Sequence, residues 1–133
     1  MRYLLFCTIF CCLLSCNEQK EERHLFAVNI STEPDKLREY LDYHQKIWPE
    51  VEAGFKNAGY RSIKLYHYQH LVVMEVIVPA GADLGELGKK AAATHARCAA
   101  WNSLMDSYQL GIPGTDKGQK WVELSEFYRF QQP

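Results

Sequence analysis

The chain has little of what many familiar chemistries require. Its 133 residues hold no Gly-rich phosphate loop, no Gly-x-Ser-x-Gly elbow and no spaced Cys/His set. That removes phosphate-loop enzymes, elbow-type serine hydrolases and structural zinc domains. No cluster of Lys and Arg offsets a formal charge of -1, so the chain offers no nucleic-acid surface. Its N-terminal apolar run, residues 3–14, falls well short of the roughly 20 residues a membrane-spanning helix needs. Cysteine is scarce where it would count. Of five cysteines, Cys7, Cys11, Cys12 and Cys16 lie at the N-terminus and only Cys98 stands in the remainder. That remainder has no internal disulfide and must be stabilised by packing. The composition suits packing. With 47% apolar and 23% charged residues the chain is globular, long enough for one domain and too short for two.

The N-terminus reads as an address rather than as fold. Arg2 supplies a minimal positive start, and Leu13-Leu14-Ser15-Cys16 resembles the lipobox of bacterial lipoproteins. The resemblance implies cleavage before Cys16 and lipidation of that cysteine; an ordinary signal peptide or an uncut anchor is the alternative. Residues 1–16 are therefore read as a lipoprotein signal peptide, 17–24 as a polar tether and 25–133 as the folded domain. Lys20-Glu21-Glu22 is similar to the surface-export signal of Bacteroidetes lipoproteins, or is simply a solvated linker. The expected location is the cell envelope, with the lipid anchor in the membrane and the domain on its periplasmic or outer surface.

Within the domain the periodicities alternate. Residues 25–30 read as a first strand. Ser31 or Thr32 can cap a helix with Pro34 in its first turn, running through His44 and breaking at Trp48 before Pro49. A second helical segment places Val51 and Phe55 on one face, and Gly59 suits its left-handed cap. Residues 60–68 and 71–78 read as a hairpin around Gln69 and His70. Asp83 with Glu86 caps a long helix whose buried stripe is Leu87, Ala91, Thr94, Cys98, Trp101 and Met105. Gly111 to Gly114 forms a loop, and residues 120–130 a last strand. The order β-α-β-β-α-β is the ferredoxin-like α+β arrangement. In residues 71–78 both alternating sets are apolar apart from Glu75, so the outer sheet face needs a cover. A second copy of the chain is the simplest cover, and a homodimer packed through its sheets is expected.

One helix carries the candidate chemistry. Tyr40 and His44 are four apart and share a face with Leu37 and Leu41. A titratable imidazole beside a phenol at the edge of a buried stripe is an acid/base pair for an apolar cleft; a satisfied core histidine is the alternative. Trp101 is either core or an aromatic platform for the apolar face of a sugar. His67 and His70, at the hairpin tip, read as solvated turn residues rather than metal ligands. His95 and Cys98 lie three apart, with Cys98 a packed thiol.

Several of these residues also form a pattern. Tyr40-x-x-x-His44-x-x-Ile47-Trp48-Pro49-Glu50, Gly59, Tyr66, Trp101-x-x-x-Met105 and Trp121-Val-Glu-Leu-Ser-Glu-Phe-Tyr128 together resemble the L-rhamnose mutarotase family over about residues 25–130. The resemblance implies a dimeric α/β barrel of ferredoxin-like units and no cofactor. It implies exchange of the α and β anomers of a deoxy-sugar, with His44 as acid/base and Tyr40 and Trp101 in contact with the monosaccharide. The chain departs from the pattern where Asn102 follows Trp101 in place of a second tryptophan, and where Ile63 stands in place of a tyrosine. The family implies L-rhamnose or a related 6-deoxy sugar, and those two changes point to a pocket with a different hydroxyl pattern, such as one for L-fucose. Two other readings compete: a non-catalytic lipoprotein binding sugar or a partner through the same cleft, and an oxygenase or haem protein with His44 or His95 as ligand.

Overall fold

The computed structural model describes residues 20–133. The lipobox and Cys16 lie outside the described residues. The elements follow in the order β1 (Glu21–Ile30), α1 (Lys36–Gln45), α2 (Pro49–Ala58), β2 (Ser62–Tyr68), β3 (Leu71–Pro79), α3 (Leu84–Ala93), α4 (Ala96–Tyr108), β4 (Gln109–Leu110) and β5 (Val122–Glu123). All pairings are antiparallel, in the order β2-β3-β1-β4, with β5 on the same side of β1 as β4. This is the ferredoxin-like α+β arrangement expected from the sequence, with each of its two helices divided.

The two divisions have different causes. Trp48, the residue before Pro49, is held extended, so α1 and α2 part there as predicted. Gly59 then ends α2 in the left-handed region at φ 110. The second division, between α3 and α4, is a departure from the single long helix expected. His95 leaves helical geometry, and its ring accepts a hydrogen bond from the Arg97 backbone N–H at 3.1 Å, capping α4. The apolar stripe continues across the break through Ala91, Cys98, Trp101 and Met105, which is why periodicity did not mark it; Thr94 is exposed. At the start of α3, Asp83 accepts from the Glu86 backbone N–H at 2.9 Å, as its position predicts.

Three boundaries also differ. β1 begins at Glu21, inside the segment read as a tether, because Glu21, Glu22 and Arg23 pair with Pro79, Val78 and Ile77; backbone ladders are indifferent to exposed polar side chains. α1 starts at Lys36 after Asp35, which sits in the left-handed region at φ 66. Ser31 does not cap this helix; its hydroxyl instead accepts from the Glu33 N–H at 3.2 Å. The last strand pairs only over β5, and the chain leaves the ladder after Leu124 donates to the Leu25 carbonyl at 2.7 Å.

The core lies between the sheet and the helices. Val28 and Ile30 of β1 and Val72 of β3 meet Tyr40, Val51, Trp101, Met105 and Tyr108. Each fully buried aliphatic side chain contributes about 1.5–3 kcal/mol. By strand alternation Leu25, Ala27, Val73 and Ile77 occupy the opposite face, where Glu75 lies 3.7 Å from Arg23 and 3.6 Å from Lys64.

Candidate active site

Helix α1 sets the His44 imidazole against the Tyr40 ring, centroids 4.4 Å apart and the planes tilted by 42°, as the four-residue spacing predicts. His44 Nδ1 lies 2.8 Å from the Tyr40 carbonyl oxygen. A carbonyl can only accept, so the hydrogen bond assigns the proton to Nδ1 and leaves the Nε2 lone pair for chemistry. Burial pulls the His44 pKa below its ordinary 6.5, and the bond to Tyr40 works weakly against that. Among the described residues no charged partner contributes to its titration. The imidazole is thus neutral at pH 7: a competent base whose conjugate acid gives its proton up readily.

Helix α4 supplies the wall. Trp101 meets His44 at 5.4 Å with the rings 71° apart, and meets Trp48 at 5.3 Å and 72°. Tyr43 closes on Trp101 at 6.2 Å. The structure therefore brings together all three residues singled out from sequence: Tyr40, His44 and Trp101. Tyr40 and Trp101 are 2% and 5% exposed, whereas His44 and Trp48 are half-buried and keep accessible surface. The Tyr40 hydroxyl is engaged by Gln109, whose Oε1 in turn accepts from Trp121 Nε1 at 3.1 Å. Burial raises the Tyr40 pKa, with Gln109 opposing it, so the phenol is neutral at working pH.

A clamp on Trp48 went unseen in the sequence. The Arg97 guanidinium sits 4.3 Å over the Trp48 ring, and its Nε lies 3.2 Å from Glu50 Oε2. The Cys98 thiol donates to the Glu50 carbonyl at 3.2 Å. Arg97 precedes Trp101 by one helical turn, a spacing that was the one available signal.

The other candidates lie elsewhere. Asn102 is exposed, and Ile63 is half-buried on β2 opposite Val76. His67 is exposed, with Nδ1 3.4 Å from the Gln69 carbonyl, while His70 follows at the hairpin tip. Among the described residues no three His, Cys, Asp or Glu side chains gather as metal ligands.

A half-buried imidazole with a fixed tautomer, bordered by aromatic rings on a ferredoxin-like frame, is the arrangement that marks this small α+β protein. Comparison with known proteins narrows this. The L-rhamnose mutarotase family pattern matches residues 23–130, and the chain belongs to that family. It is similar to the L-fucose mutarotase of Xanthomonas campestris pv. campestris, with 25% identity over 114 residues, 84% of this chain and 90% of that protein. It also resembles the crystal structure of an L-rhamnose mutarotase from Formosa agariphila, with a TM-score of 0.58 and 16% identity over 83% of this chain and 99% of that one. The last likeness is one of fold.

Proposed function

We propose that the protein is a mutarotase, an aldose 1-epimerase that interconverts the α and β anomers of L-rhamnose or a related 6-deoxy sugar such as L-fucose. The observation that carries this reading is the fixed tautomer of His44, which leaves the Nε2 lone pair available on a ring set against Trp101, itself in contact with Trp48. In the proposed reaction Nε2 takes the proton of the anomeric hydroxyl. The C1–O5 bond breaks with its electron pair on the ring oxygen, which receives that proton from the imidazolium. The open-chain aldehyde turns about C1–C2, and the reverse sequence closes the ring on the other carbonyl face. No net proton is gained or lost, so one histidine suffices. The half-buried Trp48 ring beside Trp101 offers apolar surface to the sugar ring.

His44→Ala tests the assignment. Loss of anomer exchange by about 10²–10⁴-fold with sugar binding retained supports catalysis by His44. Unchanged exchange removes it, and binding without exchange in the unaltered protein favours the non-catalytic alternative. For location we propose a lipid anchor on Cys16; mass spectrometry of the membrane-extracted protein should show an acylated N-terminal cysteine, and an intact N-terminus would overturn that.

A further inference from the structure

Gln109 is a buried amide, 8% exposed, where α4 passes into β4. Its backbone ends α4 and pairs with Ile30 of β1. Its side chain needs partners, because a buried amide is costly unless its polar atoms are hydrogen-bonded. The partner of its oxygen arrives across the loop of residues 111–120. Lys120 Nζ lies 2.6 Å from the Asp106 carbonyl and 2.7 Å from its carboxylate, which brings the chain back against α4. Trp121 follows, and its Nε1 donates to Gln109 Oε1 at 3.1 Å. An indole N–H can only donate, so this bond fixes which end of the amide is oxygen. The Gln109 Nε2 group is left to donate to the Tyr40 hydroxyl oxygen. Gln109 opposes the burial that raises the Tyr40 pKa, which is the sign a donor to the phenol oxygen gives. Tyr40 in turn meets His44 twice: its ring lies 4.4 Å from the imidazole, and its carbonyl accepts from Nδ1 at 2.8 Å.

We infer that Gln109, oriented by Trp121, is a positioning residue for His44. It anchors Tyr40 by the hydroxyl, and Tyr40 sets the imidazole by its ring and its carbonyl. The donors run one way, from the Trp121 indole to the Gln109 amide and from that amide to the Tyr40 oxygen. Apolar groups of the same shape could fill this space as well. What the polar chain adds is a single orientation, since a fully satisfied buried network makes the packing around it unique. It also ties the return of the loop at Trp121 to helix α1, two parts of the chain far apart in sequence. The inference rests on the reading of His44 as the proton-transfer group.

The test compares Gln109→Met and Trp121→Phe with the unaltered protein, by anomer-exchange kinetics and by NMR titration of ring-labelled tyrosine. Both variants should keep the far-ultraviolet dichroism of the unaltered protein. Their kcat should fall by about 3–10-fold, the scale of one buried hydrogen bond, with KM held within about twofold. The Tyr40 phenol should titrate at higher pH in both, and more so in Gln109→Met, which a merely space-filling role would not produce. The double variant should be no slower than Gln109→Met alone, because the two residues act as one chain. Trp121→Phe keeps an aromatic ring in place and carries the test if Gln109→Met does not fold. An unmoved kcat in the folded variants, or an unmoved Tyr40 titration, would overturn the positioning role. A lack of exchange in the unaltered protein would instead refute the reading of His44, and this inference with it.

Discussion

At the scale of single residues, His44 sets the pH behaviour. Its folded pKa lies below 6.5 because burial disfavours the charged ring. Exchange should therefore hold steady at pH 7 and fall on an acid limb whose midpoint is below 6.5, as a pH–rate profile of kcat/KM would show. Stability follows the same sign. The neutral ring's contribution is complete above pH 6.5 and is lost as pH falls toward the depressed value, so Tm should drop more steeply on acidification than in His44→Gln. A profile rising below pH 6.5 would contradict both. Arg97 acts one step further out, by holding Trp48. Arg97→Ala should raise KM by about 2–5-fold with a smaller effect on kcat, the scale of a cation–π contact of roughly 0.5–1 kcal/mol, and should shift tryptophan emission. Tyr40, His44 and Trp101 were legible because each follows a helical period. The clamp of Arg97 on Trp48 and Glu50 joins separate elements, and one sequence holds no record of contacts across such a distance.

Between elements, the structure turns on how α2, α3 and α4 meet. A Cβ added to the buried Gly54 would sit 3.0 Å from the Ala91 carbonyl oxygen and 3.1 Å from Cys98 Sγ. Better helix propensity returns about 1 kcal/mol, but overpacking against α3 backbone costs about 1–3 kcal/mol. Gly54→Ala should lower stability by roughly 1 kcal/mol, seen as a Tm a few degrees lower; a raised Tm would mean the helices separate freely there. Elements with chemical punctuation were readable in advance: Pro49 and Gly59 bracket α2, and Asp83 opens α3. The break at His95 was not, because a histidine cap carries no recognised signature and the stripe runs through it. The extra length of β1 was hidden for another reason: Glu21 to Arg23 are polar, and only their pairing with β3 makes them strand. The last strand was overread because the alternation of residues 120–130 persists after pairing with β1 has ceased.

For the whole molecule, the two-faced sheet and the proposed catalytic pocket are separable. The residues around His44 come from α1, α4 and the turn before α2 on the helix side, whereas the apolar outer face with Leu25, Ala27, Val73 and Ile77 is on the opposite side of the sheet. Ile63 on β2 and the exposed Asn102 take no part in the ring contacts around His44, so the sugar itself has to be read by experiment. The decisive experiment is saturation-transfer NMR on equilibrated L-rhamnose, L-fucose, D-galactose and D-glucose, with the protein and with His44→Ala. Rapid exchange between the anomers of at least one 6-deoxy sugar, abolished by His44→Ala, is the expected outcome. Acceleration that survives in the variant, or none on any of the four sugars, would refute anomer exchange by His44.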